Sequence, residues 1–262
     1  MLRSPLMNVM VNAVLKAGKG LKRDFGEVEN LQVSAKGPGD FVSIADKKAE
    51  RVLHQELDKA RPGYGFVMEE GGVIEGSDKT HRWHIDPLDG TTNFLHGLPF
   101  FSTSVALERD GVLVAGVVYN PATEDLFVAE RGAGAFHNDR RIRVSGRRLM
   151  AEALVCAAVM QIGRGNHATN LADVGAVMAR VAGVRHMGSV ALELAYVAAG
   201  RFDGLVERWL SSWDIAAGIV LVREAGGFVS DPRGGDTMLA SGDVVAGNEA
   251  IHKGILTTLA KA

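Results

Sequence analysis

A layered α/β fold made of two fused lobes is predicted for this chain, and three observations carry the prediction. Residues 101–130 read as successive antiparallel strands: Phe101 to Glu108, a turn at Asp110-Gly111, Val112 to Tyr119, a turn at Asn120-Pro121, and Asp125 to Glu130. Beyond about residue 145 the rhythm changes to strands alternating with helices. No stretch rich in Pro, Ser or Gly divides the halves, and there are no internal repeats. An N-terminal α+β lobe over 1–145, carrying the antiparallel sheet, is therefore expected beside a C-terminal α/β lobe over 146–262, with a cleft between them.

The elements follow in order. Leu6, Val9, Met10, Ala13, Val14 and Ala17 recur at helical spacing and predict an amphipathic first helix. A second helix spans about Ser43 to Ala60, with Ile44, Val52, Leu53 and Leu57 on its apolar side, and Arg61-Pro62-Gly63 stops it. Short strands Gly65 to Met68 and His81 to Ile85 each run directly into acidic residues. The glycines of Gly132-Ala133-Gly134 read as a bend. In the second half, strands are expected near Leu154 to Val159, Gly204 to Glu207, Gly227 to Ser230 and Val244 to Ala246. Helices are expected near Leu171 to Val181, Ser189 to Ala199, Trp213 to Ala225 and Glu249 to Leu259.

Composition narrows the function. A formal net charge of −2 on 262 residues argues against general polyanion binding, which rests on clustered positive charge. The single cysteine, Cys156, rules out an internal disulfide and a cysteine-rich zinc site; it reads as a small buried hydrophobe in a reducing, cytoplasmic setting. Asn8, Asn12 and Lys16 interrupt the N-terminal apolar residues, so no signal-peptide core is expected there. No apolar run approaches the ~20 residues needed to span a bilayer, and a soluble protein is expected.

The chemistry centres on carboxylates. Asp86 and Asp89 close a predicted strand, three residues apart, with Pro87 barring regular ladder pairing and Asp89-Gly90 marking a turn. Such a bend turns both carboxylates, and the Leu88 carbonyl, toward one point, as a hard divalent cation requires; an Asx turn serving only the backbone is the alternative. The amides of Thr91 and Thr92 offer an anion-binding helix start. Glu69 and Glu70 add acids at another strand end, unless they simply face solvent. Asp214 stands before the apolar stretch Ile215 to Val222, as either a ligand or a helix N-cap.

Taken together, these segments resemble the inositol monophosphatase family. Asp86-Pro87-Leu88-Asp89-Gly90-Thr91-Thr92-Asn93-Phe94 is similar to its D-P-[IL]-D-G-T-x-N-F signature, and Glu69-Glu70-Gly71 to its upstream acidic pair. Trp213-Asp214-Ile215-Ala216-Ala217-Gly218, followed by Glu224-Ala225-Gly226-Gly227, resembles its second signature. Order and spacing agree over nearly the whole chain. The resemblance implies alternating α-β-α-β-α layers of the inositol monophosphatase and fructose-1,6-bisphosphatase type.

It also implies Mg²⁺-dependent, lithium-sensitive hydrolysis of a phosphate monoester with two or three ions. Glu69, Asp86 and the Leu88 carbonyl would hold the first ion; Asp86, Asp89 and Asp214 the second; Glu69, through waters, a looser third. Thr91, oriented by Asp46, would align the attacking water, and the amides of Gly90 and Thr91 would cradle the phosphate. Glu70 would support the ligands, and Lys36, beside a Gly37-Pro38-Gly39 turn suited to a lid, would neutralise phosphate charge. His84 reads as structural. Phosphoryl transfer suits this inventory, since it needs alignment and charge stabilisation more than covalent chemistry.

For the alcohol, the resemblance assigns Glu207, Gly188, Ser189 and Asp214 to the substrate side, with Val190 narrowing the pocket where relatives commonly carry alanine. myo-Inositol 1-phosphate is the expected substrate; fructose 1,6-bisphosphate, 3′-phosphoadenosine 5′-phosphate and histidinol phosphate are alternatives. A homodimer is expected. Leu192 to Gly200 and Arg201 to Gly204 are similar to bacterial SuhB proteins, which implies a second role as a partner in transcription complexes. Arg131, Arg140, Arg141, Arg143, Arg147 and Arg148 supply positive charge for that role, or else a solvated face.

Overall fold

A computed structural model describes residues 3–25, 33–37, 40–158 and 165–261, the strands within 33–43 as backbone only. The first half comprises α1 (Pro5–Phe25), β1 (Val33–Gly37), β2 (Asp40–Ser43), α2 (Ile44–Ala60), β3 (Gly65–Met68), β4 (Gly72–Ile74), β5 (His81–Asp89), α3 (Thr91–Leu95), β6 (Ser102–Arg109), β7 (Val112–Asn120), β8 (Asp125–Glu130), β9 (Gly134–His137) and β10 (Arg140–Arg141). Then come a short 3₁₀ turn, β11 (Leu154–Ala157), α4 (His167–Met178), β12 (Gly183–Arg185), α5 (Val190–Ala198), β13 (Gly204–Glu207), α6 (Ser212–Glu224), β14 (Phe228–Ser230), α7 (Met238–Ser241), β15 (Val244–Gly247) and α8 (Glu249–Leu259).

Five layers result. An eight-stranded sheet runs β10-β9-β8-β7-β6-β5-β3-β4, antiparallel except for the β3–β5 pair. Its outer face is covered by α1 and α2, whose apolar stripes, among them Met10, Val14, Leu21, Leu53 and Leu57, meet Trp83, Ile85 and Phe101 in one core. Its inner face meets α5 and α6, which are apolar all round because they are sandwiched between sheets. A five-stranded sheet, β12-β11-β13-β15-β14, covers their far side and carries α4 and α8 outside it. The expected α-β-α-β-α layering is observed.

Local signals account for most boundaries. The Ser4 hydroxyl accepts the Met7 amide at 3.0 Å and Pro5 opens α1, where its missing N–H costs nothing. The helix expected from Leu171 begins at His167, because Asn166 caps it by accepting the Thr169 amide at 3.1 Å. Its neighbour strand stops at Ala157, two residues before the expected Val159. The Gly132–Gly134 bend is the β8–β9 turn; both glycines have φ above +80°, and Glu224 at the end of α6 accepts their two amides at 2.9 and 2.8 Å. The β1–β2 hairpin is not announced by any periodicity. The side chain of Lys36 and residues Pro38 and Gly39 lie outside the described residues.

A candidate metal and phosphate centre at the end of β5

β5 reaches further than its alternating run suggests. It pairs with β6 through Asp86↔Ser104, breaks register, and resumes at Asp89↔Ser102. The irregularity follows from Pro87, which has no N–H for the ladder; its carbonyl instead accepts the Thr103 hydroxyl at 3.0 Å. Asp86 accepts the Leu88 amide at 2.9 Å, so the Asx turn considered from sequence is present, and the same carboxylate still heads the acidic cluster. That turn does not use up the group, because a carboxylate has lone pairs left after one backbone bond.

The next turn depends on glycine. Gly90 has φ +93°, and a Cβ there would lie 3.1 Å from the carbonyl oxygens of both Gly188 and Phe100. This positive φ and close packing let the chain turn at once into α3, with the Thr91 hydroxyl donating to the Leu88 carbonyl at 3.0 Å. Asn93 then ties two distant segments together: its side-chain amide donates to the carbonyls of Phe100 and Met187, each at 2.7 Å. The loop carrying Gly188 and Ser189 is thereby fastened above the β5 end.

Acids arrive from four further directions. Asp46 lies buried in the first turn of α2, Glu69 follows β3, Asp214 sits in the first turn of α6, and Glu207 ends β13. The position of Asp214 corrects one expectation. α6 begins at Ser212 with Ser211 as N-cap, and Asp214 is the third helical residue, reaching back to accept the Ser211 amide at 2.8 Å. Glu69 and Glu70 are half-buried instead of solvated, and the Glu70 amide donates to Glu50 Oε2 at 2.8 Å. Val190 is buried at the start of α5.

Electrostatics couples several of these acids. Burial pushes the Asp86 carboxyl well above the carboxylate range, and the charges of Glu69, Asp89, Asp214 and Asp46 push it further. Asp89 is pushed up to about 7, mainly by burial; hydrogen bonds from the Ser189 hydroxyl (2.6 Å) and the Ala191 amide (2.8 Å) oppose the rise, while Glu193 and Glu69 add to it. Buried carboxylates that repel one another are a poor arrangement for a cation-free site and a good one for hard divalent cations. The donor set, carboxylates plus a backbone carbonyl, fits Mg²⁺.

Glu207 is also buried, raised first by burial and then by Glu193, Asp89 and Asp214. It therefore adjoins the cluster on the side of the Gly188 loop. His186, Glu193 and Glu207 are the one trio among the described residues whose ligand atoms all lie within 4.8 Å of one another. His84 turns away from both groups: its ring contacts Ser212 Oγ at 3.0 Å and Glu108 at 2.8 Å, linking β5 to β6 and α6.

Sequence reasoning missed Asn93 and Glu193 as supports of this region, and Glu224 as the anchor of the β8–β9 turn. Asn93 and Glu224 stand inside the two signature segments, and that placement was the available signal; Glu193, in an apolar helix, offers only its isolation as an acid among Leu192, Leu194 and Ala195.

The family model for the inositol monophosphatase family matches residues 2–262. This chain belongs to the inositol monophosphatase family. It is 60% identical over 261 residues to an inositol-1-monophosphatase of Mesorhizobium japonicum, covering 100% of this chain and 98% of the relative. It is 41% identical over 255 residues to the Nus factor SuhB of Escherichia coli, covering 97% and 96%. The crystal structure of the extragenic suppressor protein suhB from Bartonella henselae superposes with a TM-score of 0.96 at 54% identity, over 99% of this chain and 100% of that one. The family's two signature segments thus meet in one place, at the β5 end and the first turn of α6. Among the described residues no helix is long and apolar enough to cross a membrane.

Proposed function

We propose that this protein is a Mg²⁺-dependent phosphomonoesterase acting on myo-inositol 1-phosphate. The observation that carries the reading is the convergence of Asp86, Asp89, Glu69, Asp214 and Asp46 into one mutually repelling cluster beside the Gly90-Thr91 turn. Glu69, Asp86 and the Leu88 carbonyl would hold one ion, Asp86, Asp89 and Asp214 a second, and Glu69 a looser third. Bound Mg²⁺ would supply Lewis-acid polarisation of the phosphate and lower the pKa of a reacting water.

The chain's own groups do the rest. Ser189 and Ala191 hold one oxygen of Asp89 and leave the other for a ligand. The left-handed Gly90 brings the amides of Gly90 and Thr91 toward the phosphate without a side chain in the way. Thr91, with Asp46, aligns the attacking water. Gly188, Ser189, Asp214 and Glu207 face the alcohol, where a buried acid discriminates strongly for a hydroxyl that satisfies it. The lone buried Cys156 is consistent with a cytoplasmic setting, and a homodimer belongs to the same reading.

A phosphate-release panel tests this directly. Inositol 1-phosphate should be hydrolysed faster than fructose 1,6-bisphosphate, 3′-phosphoadenosine 5′-phosphate or histidinol phosphate, only with Mg²⁺, and less in Li⁺. Release without divalent metal, or preference for another ester, would overturn the corresponding part. A second reading has its own support: all six arginines from Arg131 to Arg148 are exposed, and a Nus factor SuhB is among the relatives. If this face binds a transcription complex, Arg140→Glu with Arg141→Glu removes the association and spares phosphate release.

A further inference from the structure

Glu193 is an anomaly of the second half. It is completely buried on α5, between the buried apolar residues Leu192, Leu194 and Ala195 of the same helix. A buried carboxyl in an apolar helix is costly unless its oxygens are used. One of them is fully used. Oε1 accepts the amide of Met187 in a short hydrogen bond and that of Gly188 at 3.1 Å. The same loop is held from the opposite side by Asn93, through the Met187 carbonyl, and Gly188 abuts Gly90. The other oxygen, Oε2, is buried without a hydrogen-bond partner among the described residues, as is Oε1 of Glu207, and the two carboxyl groups approach within 4.8 Å.

We infer that Glu193 is a positioning residue for the alcohol side of the pocket: one oxygen fixes the Met187–Gly188 backbone and the other orients Glu207. The inference rests on the proposed inositol phosphatase reading, which it deepens. The chemistry is consistent with a specificity device. A loop tied at two amides and one carbonyl presents Gly188 and Ser189 in a single conformation. A carboxyl packed within 4.8 Å of the Glu207 carboxyl restricts the rotamers from which Glu207 can meet a substrate hydroxyl. Neither contact touches the phosphate, so the influence falls on recognition of the alcohol.

The test compares Glu193→Met, which keeps volume and suits the apolar surroundings, with Glu193→Gln, which keeps an acceptor for both amides and offers Glu207 a donor. Substrates are inositol 1-phosphate and p-nitrophenyl phosphate, which lacks the alcohol hydroxyls. For Glu193→Met, KM for inositol 1-phosphate should rise about tenfold, the equivalent of one lost hydrogen bond. KM for p-nitrophenyl phosphate should stay within about twofold, and Gln should restore both. Amide hydrogen exchange at Met187 and Gly188 should accelerate in the Met variant and not in the Gln variant. Glu193→Ala carries the same expectations should the Met variant fail to fold. Equal KM increases for both esters, or unchanged exchange at these two amides, would overturn the inference. Failure of the wild-type protein to favour inositol 1-phosphate would instead defeat the functional reading, while the exchange measurement still decides the role of Glu193 in the loop.

Discussion

Replacing Asp89 by Asn should stabilise the metal-free protein while abolishing its activity. Folding lifts this carboxyl from its ordinary 3.8 to about 7, chiefly through burial. Between those values the native chain retains a proton that the unfolded chain has lost. The native state therefore benefits from the protonated group at low pH, and that benefit declines as pH rises and is gone above about 7. The gap between 3.8 and about 7 corresponds to about 4 kcal/mol at pH 8. Asparagine keeps an oxygen to accept from Ser189 and Ala191 and carries no charge, so it escapes this cost. At roughly 2–4 °C per kcal/mol for a chain of this size, the metal-free variant should melt about 10 °C above wild type.

Scanning calorimetry at pH 8 in chelator, repeated with Mg²⁺, reads the effect, and phosphate release reads the activity. Wild type should gain far more from Mg²⁺ than the variant, because a ligand that binds only the native state stabilises it by mass action. In chelator the wild-type melting temperature should fall between pH 4 and pH 7, and that fall should shrink in the variant. A variant less stable than wild type in chelator, or one with near-normal turnover in Mg²⁺, would refute the assignment of Asp89 as a strained metal ligand.

Other perturbations follow from the same geometry. Gly90→Ala forces an L side chain to φ +93° and against two carbonyls at 3.1 Å, so a loss of ~2 kcal/mol in denaturant melts and at least a tenfold fall in kcat is expected. Gly218→Ala would place a Cβ 2.5 Å from Leu194 Cβ at the α5–α6 contact, where the chain has little room to move; overpacking should cost ~1–3 kcal/mol by urea unfolding, despite the better helix propensity of alanine. Burial pushes the Cys156 thiol far up, with Glu193 and Glu207 adding to the rise. The native protein should therefore resist iodoacetamide until it unfolds, and stoichiometric labelling within minutes would contradict the buried placement.

Much of the architecture is legible from local pattern. β8, β13 and α8 begin and end where composition and alternation place them; Asn120-Pro121 and Gly132 bracket β8, and Asn248 caps the start of α8. The misplaced boundaries share a cause. His167 and Ser212 extend α4 and α6 backward because Asn166 and Ser211 cap them, and a cap acts through one hydrogen bond that apolar periodicity does not register. β5 runs on through Pro87 because β6 accommodates a break in register, a decision taken by the partner strand.

The candidate centre divides in the same way. Asp86, Leu88, Asp89, Gly90 and Thr91 are neighbours in the chain, so their chemistry is readable wherever the chain folds. Proline and glycine force the bend, and the residue types supply carboxylate, carbonyl and amide groups at one turn. Three-dimensional packing alone sets the environment of those groups. Glu69, Asp46, Asp214 and Glu207 come from separate elements; the burial of Asp86 and Asp89 themselves, with charges such as those of Glu69 and Asp214 added for Asp86, raises these two out of the ordinary carboxylate range. Asn93 and Glu193 hold the Gly188 loop over the site through backbone groups. A side chain that recognises backbone leaves little mark on the identity of its partner, and for that physical reason the support of the Gly188 loop was invisible in the sequence while the acidic residues of the candidate centre were not.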